Sequence, residues 1–592
     1  MSAKEFFTRH WHKKMDAARP PRLHIVLFWI VTTVLAVWLI SQRRAWGYQE
    51  FKAWAALIFG IYVILRVFLR PRDWLERLPL QIILFLMVFF TLLHAEGKDA
   101  NRLVNHDRIR TWNVYHYYMG AKYFDELGYL DLYTHTILAD REDRNHLENI
   151  RKLRDLTDYR KKRVADLVPE ERNLEFTDAR WRDFQRDLRA LLPRASGPGW
   201  GNMLVDRGYN GTPFWNTYGA ALAETLSIRG RGDRRLLCSL DFFVYALIFL
   251  AICFAFGLEP ALLFVAGVAL MPQNDHRFIG GFLQYDWLAA IVLGVCFLKK
   301  RMPIPAAISL GLGTLMRLFP LVLAAGLAVP AFRQLLREKR IDKFYWKFFA
   351  AFVLTGMLGL WIGSWNARGW NSWLEWKSEI DVHNHEHVYG GRRVGLKHLF
   401  TKPFGYGPDD GHFDKRRMLK KQKPYYWAAA AAFLALFLAA TWRRGRFNAV
   451  LLAMIVVFAL LVSSRYYWSM IAFLLFWQRN DEDDEEWHPT IFAGVAVFFV
   501  SWHLWRYIPT VKDFYFHYIR FNSLIAMLFA AWALWLIGKD MRDVGWLARP
   551  ERALRRMLQS PPPEEETLEN AAPTVTPEVE STPDVAKSED FD

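Results

Sequence analysis

The chain has 592 residues, 53% of them hydrophobic, a formal net charge of +16 and 3 cysteines. Its mean hydropathy is only +0.01, so very apolar and very charged stretches alternate, and an ordinary soluble domain is excluded. The basic residues cluster in short loops between apolar runs, which excludes nucleic acid as the reason for the charge.

Read from the start, residues 1–21 form a basic segment with Arg9, Lys13, Lys14 and Arg19, expected on the cytoplasmic side. Residues 22–95 hold three apolar runs, at 22–41, 51–69 and 77–95. Each has about the 20 residues that an α-helix needs to cross roughly 30 Å of hydrocarbon. The first is no cleaved signal, because it is too long, lacks a small-residue cleavage site and is followed at once by further spans. Arg66, Arg70, Arg72 and Arg77 place the loop after the second run on the cytoplasmic side, so residues 96–235 form a large outer, periplasmic loop.

Further apolar runs fall at 236–256, 258–273, 285–299, 304–318, 319–335 and 347–364. A second outer loop covers 365–424, and runs at 425–441, 448–463, 466–479, 490–507 and 521–538 complete the membrane part, 425–538. The expectation is an all-α, polytopic integral membrane protein of about 14 transmembrane helices. Within Met316–Pro320 (MRLFP) the proline removes a backbone donor, so the helix is expected to break there. The acidic run Arg479–Glu486 reads as a solvated loop, 539–559 as a basic amphipathic cytoplasmic segment, and 560–592 as a disordered acidic tail. Both termini are expected in the cytoplasm, with the chain in a bacterial inner membrane. Cys238, Cys253 and Cys296 lie inside apolar runs without metal-ligand spacing, so no disulfide framework and no zinc site is expected.

The stretch Asn105–Tyr133 follows the third span and carries Val114, Tyr115, Tyr118, Met119, Tyr123 and Phe124 at helical spacing, closed by Gly128. It reads as an amphipathic helix with an aromatic face lying at the outer membrane surface. Its pattern of Asp107, then Val114 with Tyr115, then Gly128, then Leu132 with Tyr133 resembles the polyprenol-phosphate-mannose-dependent mannosyltransferases, a branch of the GT-C membrane glycosyltransferases. A second block, Gly280–Pro320, is similar to that family's Gln-containing span, short basic loop, small-residue helix and terminal basic-x-x-Pro step, here Gln284 and Arg317–Pro320. Asn384–Leu396 (NHEHVYGGRRVGL) looks like its late outer loop, and Ser463–Trp468 (SSRYYW) like its step before a returning span. The chain departs from the pattern in three ways. Asp107 lies further from the Val-Tyr pair, the family's Lys is Arg317, and a charge-rich insertion of about 60 residues between Asp140 and Pro198 has no counterpart.

The resemblance implies a GT-C-like fold and transfer of a sugar, mannose or another hexose or pentose, from a polyprenyl-phosphate donor to a glycan or lipid acceptor. Such a donor already carries a good leaving group, so one carboxylate suffices as base for an inverting displacement. Asp107 is the first choice, with Asp125, Glu126 and Asp131 as rivals. The leaving phosphate needs cations, for which Arg317, Arg392, Arg393, Arg277 and His276 are the candidates. Tyr115, His116, Gln284, Asp286 and Asn384 are expected to line the substrate site.

His383, His385 and His387 alternate, a spacing that fits one metal only on a strand, and no partner ligands are visible, so no metal or other cofactor is assigned. Membrane lipid is the other expected partner, nucleic acid is not. Asn210–Thr212 forms a sequon, a weak pattern. The alternative function, a transporter or flippase for a lipid-linked precursor, predicts internal repeats and paired charges near the midplane, and neither is seen.

Overall fold

The computed structural model describes residues 20–43, 45–71, 73–95, 109–271, 280–405, 413–479, 487–507 and 514–543. It begins with three apolar helices, α1 (Leu23–Gln42), α2 (Tyr48–Leu69) and α3 (Trp74–Ala95). Arg22, just ahead of α1, is fixed to Glu76 in the first turn of α3 at 2.9 Å. On its outward face α1 leaves Leu27, Ile30, Val34 and Val37 uncovered by protein, as a helix does when lipid supplies the apolar surroundings.

A cap follows, built on its own hydrophobic core. Its first helical run, 111–127, widens at Val114–Met119 into a π-helix and stops at Gly128, whose φ of 56° suits a residue without Cβ. Next come an antiparallel hairpin, β1 (Lys152–Arg154) with β2 (Lys161–Arg163), and the helix Asp178–Leu191. The last cap helix is α4 (Pro213–Thr225), started by Thr212, whose hydroxyl accepts from the Trp215 N–H at 3.1 Å.

The cap corrects the expectation of an aromatic helix lying on the membrane. Tyr115, Tyr118 and Tyr123 are each 0% exposed, Tyr115 packed against Tyr133 and Trp200, Tyr118 against Phe282, and Tyr123 against the insertion. Phe176, Trp181 and Phe184 pack against Tyr123 and its neighbours, with Tyr123 and Phe184 edge to face at 5.0 Å. An apolar face in a sequence shows that something covers it, and here protein does so instead of lipid.

Beyond the cap, α5 (Arg231–Phe256) is a full-length apolar helix, whereas α6 (Leu258–Leu270), α7 (Asp286–Lys299) and α8 (Pro303–Met316) have 13, 14 and 14 residues. At 1.5 Å per residue the last two reach only about 21 Å. Short helices are tolerated in a membrane when packed inside protein, and nearly every residue of α6 and α7 is buried against it. After α8 come α9 (Pro320–Ala325) and the amphipathic helix Ala328–Glu338. The remaining long helices are α10 (Lys343–Ile362), α12 (Lys415–Thr441) and α13 (Phe514–Asp543), with the polar helix α11 (Asn371–His387) between the first two.

Seven helices among the described residues are long and apolar enough to cross a membrane, so the expected count of about 14 full spans is not reproduced. The run expected at 448–463 is divided into Arg446–Leu452 and Met454–Leu460, and that at 466–479 is a 3₁₀ helix, Arg465–Arg479. The break expected at Pro320 is found, begun three residues earlier. Helix α8 ends at Met316, Arg317 is extended at φ −149° and ψ 122°, and Pro320 opens α9.

A two-residue ladder ties the late loop to the membrane part. Strand β3 (Arg393–Val394) pairs antiparallel with β4 (Ser463–Ser464), opposing Arg393 to Ser464. Asn522 of α13 clamps β3 from behind, its amide donating to the Arg393 carbonyl at 2.9 Å and accepting from the Gly395 N–H at 2.8 Å.

Candidate active site

The helix break sets Arg317 at the seam between the membrane helices and the cap. Its Nη1 donates to the Met316 carbonyl at 3.0 Å and its Nη2 to the Tyr117 hydroxyl at 3.2 Å, while Nε has no hydrogen-bond partner. Tyr117, Tyr466, Tyr467 and Asp286 are its electrostatic neighbours. Arg317 and the three tyrosines lie well inside the molecule yet retain accessible surface.

Asp286, at the start of α7, is fully engaged. It accepts from Trp215 Nε1 at 2.7 Å, from the Tyr218 hydroxyl at 2.5 Å and from its neighbour's N–H at 2.6 Å. It thereby fastens α4 of the cap to α7 and makes no ion pair with Arg317 among the described residues. Gln284 accepts from Arg110 Nη1 at 2.6 Å, and Arg110 in turn donates its backbone N–H to the Gly280 carbonyl at 2.7 Å. The cap therefore enters the seam through Arg110.

Tyr466 has Arg393 as well as Arg317 for a neighbour, and Arg393 in turn has Arg207. Arg393 donates to the His387 carbonyl at 2.9 Å and to the Ser464 hydroxyl at 3.3 Å. Arg207 donates from Nη1 to His387 Nδ1 at 2.9 Å and from Nη2 to the Glu386 carbonyl at 3.0 Å. Because a guanidinium only donates, Nδ1 of His387 is the acceptor and the ring is neutral. Burial first, and then Arg393 and His383, hold that ring well below the ordinary histidine range. Burial, followed by Arg207 and Arg393, likewise pushes His383 down to about 3.

Arg393 itself is pushed down to about 9, by burial first and by Arg207 second. Tyr466 and Asp206 oppose that fall without cancelling it, and the guanidinium keeps its proton regardless. Among the described residues neither Arg207 nor Arg317 nor Arg393 has a carboxylate within ion-pair distance. Arginines without a carboxylate, set among tyrosines, are suited to a phosphate with an organic substituent, since their planar forks match its oxygens.

Other expected residues lie elsewhere. Asp107, His276 and Arg277 fall outside the described residues. Tyr115 and His116 belong to the cap core, the Tyr115 hydroxyl bonding Thr136 at 2.8 Å and the His116 nitrogens meeting the Trp112 carbonyl and the Tyr133 hydroxyl, each at 2.7 Å. Asp125 is exposed and accepts from the Ala367 N–H at 3.1 Å. Glu126 pairs with Arg180 at 2.6 Å, and Asp131 accepts from Asn173 at 3.2 Å. Asn384 is exposed on α11, and Arg392, half-buried, precedes β3. The three alternating histidines sit on a helix, not a strand, so only His383 and His387 share a face, with ring centroids 4.8 Å apart. No group of three potential metal ligands converges among the described residues.

Arg207, Tyr117, Tyr466 and Tyr467 were not foreseen as site residues. The two tyrosines stand inside the SSRYYW step and Tyr117 follows the Val-Tyr pair, so a reading of whole motifs holds the signal. Arg207 carries none.

Residues 233–464 match the model of Glycosyltransferase family 87. That stretch contains Asp286, Arg317, α11 and Arg393 and leaves out the cap, and it bears out the resemblance to the GT-C membrane glycosyltransferases. No curated protein and no solved structure matches the chain. With the seven long apolar helices, the match makes this a multi-pass membrane glycosyltransferase.

Proposed function

We propose that this membrane glycosyltransferase takes its sugar, mannose or another hexose or pentose, from a polyprenyl-phosphate donor and transfers it to a glycan or lipid acceptor. The observation that carries the reading is the set of arginines, Arg207, Arg317 and Arg393, that neighbour one another or Tyr466 and have no carboxylate partner among the described residues. A charge that deep is retained when a ligand completes it. The donor phosphate supplies the counter-charge, the prenyl chain extends into lipid alongside the short helices, and the tyrosines wall the sugar.

Asp107 remains the proposed base for inversion. The rivals Asp125, Glu126 and Asp131 are engaged by Ala367, Arg180 and Asn173. We place the cap on the outer face of a bacterial inner membrane with both termini cytoplasmic, in keeping with Arg66 and Arg70 at the far end of α2. The transport alternative finds no support in the family match.

The test is sugar transfer by the purified protein, using labelled polyprenyl-phosphate sugars with a native lipid extract as acceptor. Transfer by the wild type that is lost in Asp107→Asn and in Arg317→Ala is the expected result. Donor binding without turnover in any form would contradict it.

A further inference from the structure

The insertion between Asp140 and Pro198, absent from the pattern that the sequence resembles, meets α11 and the loop that carries Arg207 through Tyr159. Tyr159 sits in the turn between β1 and β2, 5% exposed, with φ at 58°, a conformation costly for a residue with a Cβ. Arg154 holds that turn, donating to the carbonyls of Tyr159 and Val205. From there the Tyr159 hydroxyl meets three groups. It donates to Glu379 Oε1 at 2.5 Å, and it lies 3.1 Å from His383 Nδ1 and 3.1 Å from the Arg207 carbonyl.

The two partners on α11 are one helical turn apart, and His387, one turn further, receives Arg207. The phenol thus joins the insertion, α11 and the Arg207 loop at one point.

We propose that Tyr159 is a positioning residue delivered by the insertion, which fixes Glu379 and His383 against the Arg207 loop and so aims Arg207 and Arg393 at the donor phosphate. The inference rests on the donor-phosphate reading of these arginines. It also gives the charge-rich insertion a second task besides helping to cover the cap's aromatic face.

Glu379 makes the arrangement testable. The groups around it are Tyr159 of the hairpin, Arg207 of the 204–210 loop, Tyr129 and Arg368, and Glu375 and His383 of its own helix. Burial raises its carboxyl to about 7, and the Tyr159 hydrogen bond opposes that rise. The ionised carboxylate draws the Tyr159 proton away from the Arg207 carbonyl, which shares that hydroxyl, so the Arg207 loop is held less firmly and affinity for an anion falls as pH rises through neutrality. Without the Tyr159 hydroxyl that link is gone, and the fall with it.

The experiment is binding of geranyl methyl phosphate, a diester that does not itself ionise near neutrality, to the full-length protein in detergent across pH 5–9. Tyr159→Phe, which keeps the ring and loses the hydroxyl, is expected to bind roughly three- to ten-fold more weakly and to show no such fall. Glu379→Gln is expected to bind without a transition near neutrality. Tyr159→Phe indistinguishable from wild type at every pH, while Arg317→Ala has lost binding, overturns the positioning role alone. Wild-type binding by Arg317→Ala overturns the donor-phosphate reading and this inference with it.

Discussion

Arginines at the far side of the membrane helices and arginines at the seam solve the same problem in opposite ways. Arg66 meets Glu259 at 2.8 Å, and Arg444, 5% exposed, meets Asp540 at 2.7 Å. Each of these buried guanidinium groups has a carboxylate supplied by another helix. Arg207, Arg317 and Arg393 receive only carbonyls, hydroxyls and a neutral imidazole. Where the fold requires a buried arginine it provides the counter-charge. At the seam it provides none, in keeping with the proposal that a ligand supplies it.

The sharpest contrast is obtained by deleting one arginine of each kind. Arg444→Ala strands Asp540 in the interior and is expected to cost about 3–5 kcal/mol of stability, read as a lower melting temperature, with kcat/KM of the surviving folded protein unchanged. Arg393→Ala is expected to do the reverse, holding the melting temperature while lowering transfer about 100-fold, the scale of losing a charged donor to a transition state. Adding Arg207→Ala to Arg393→Ala should cost less than the product of the single losses, because both arginines would serve one phosphate. Independent, multiplicative losses would separate them into different sites. Arg317→Lys keeps the charge but not the fork, and about a ten-fold loss is expected, smaller than for the alanine variant.

The smallest expected effect is on stability against pH. Glu379 ionises at about 7 in the fold against an ordinary 4.5, so the folded protein holds its proton where the unfolded chain does not. This contribution favours the fold at low pH and is lost as pH rises from 4.5 to about 7. Glu379→Gln is therefore expected to melt higher than wild type above neutrality and alike below pH 4.5. The opposite slope would show that the carboxylate is stabilised in the fold.

Apolar length was enough to read α1, α2, α3, α5 and α10 from the sequence, and proline chemistry was enough to place the break beside Arg317. Gln284 and Asp286 were expected near the site from the block that resembles the family, and the structure bonds them to Arg110 and to α4 of the cap. What hydropathy does not carry is which surroundings an apolar face meets. The aromatic run 111–127 therefore read as a membrane-surface helix when its cover is protein, including Phe176, Trp181 and Phe184 of the insertion. Nor does it distinguish a full span from a short helix such as α6 or α7, since both are apolar and only burial by neighbours permits the shorter one. Arg207 was invisible for a third reason: its partners, Glu386 and His387, lie about 180 residues away, and one sequence holds no trace of that meeting.

The central claim, that the unpaired arginines hold the donor phosphate, is tested most directly by kcat/KM for a labelled polyprenyl-phosphate sugar measured on Arg317→Ala beside its melting temperature in the same preparation. The account predicts a loss of at least about 100-fold with the melting temperature unchanged or raised, since the deleted charge had no partner in the protein. Transfer within a few-fold of wild type, together with a lowered melting temperature, would make Arg317 a structural residue and contradict the account.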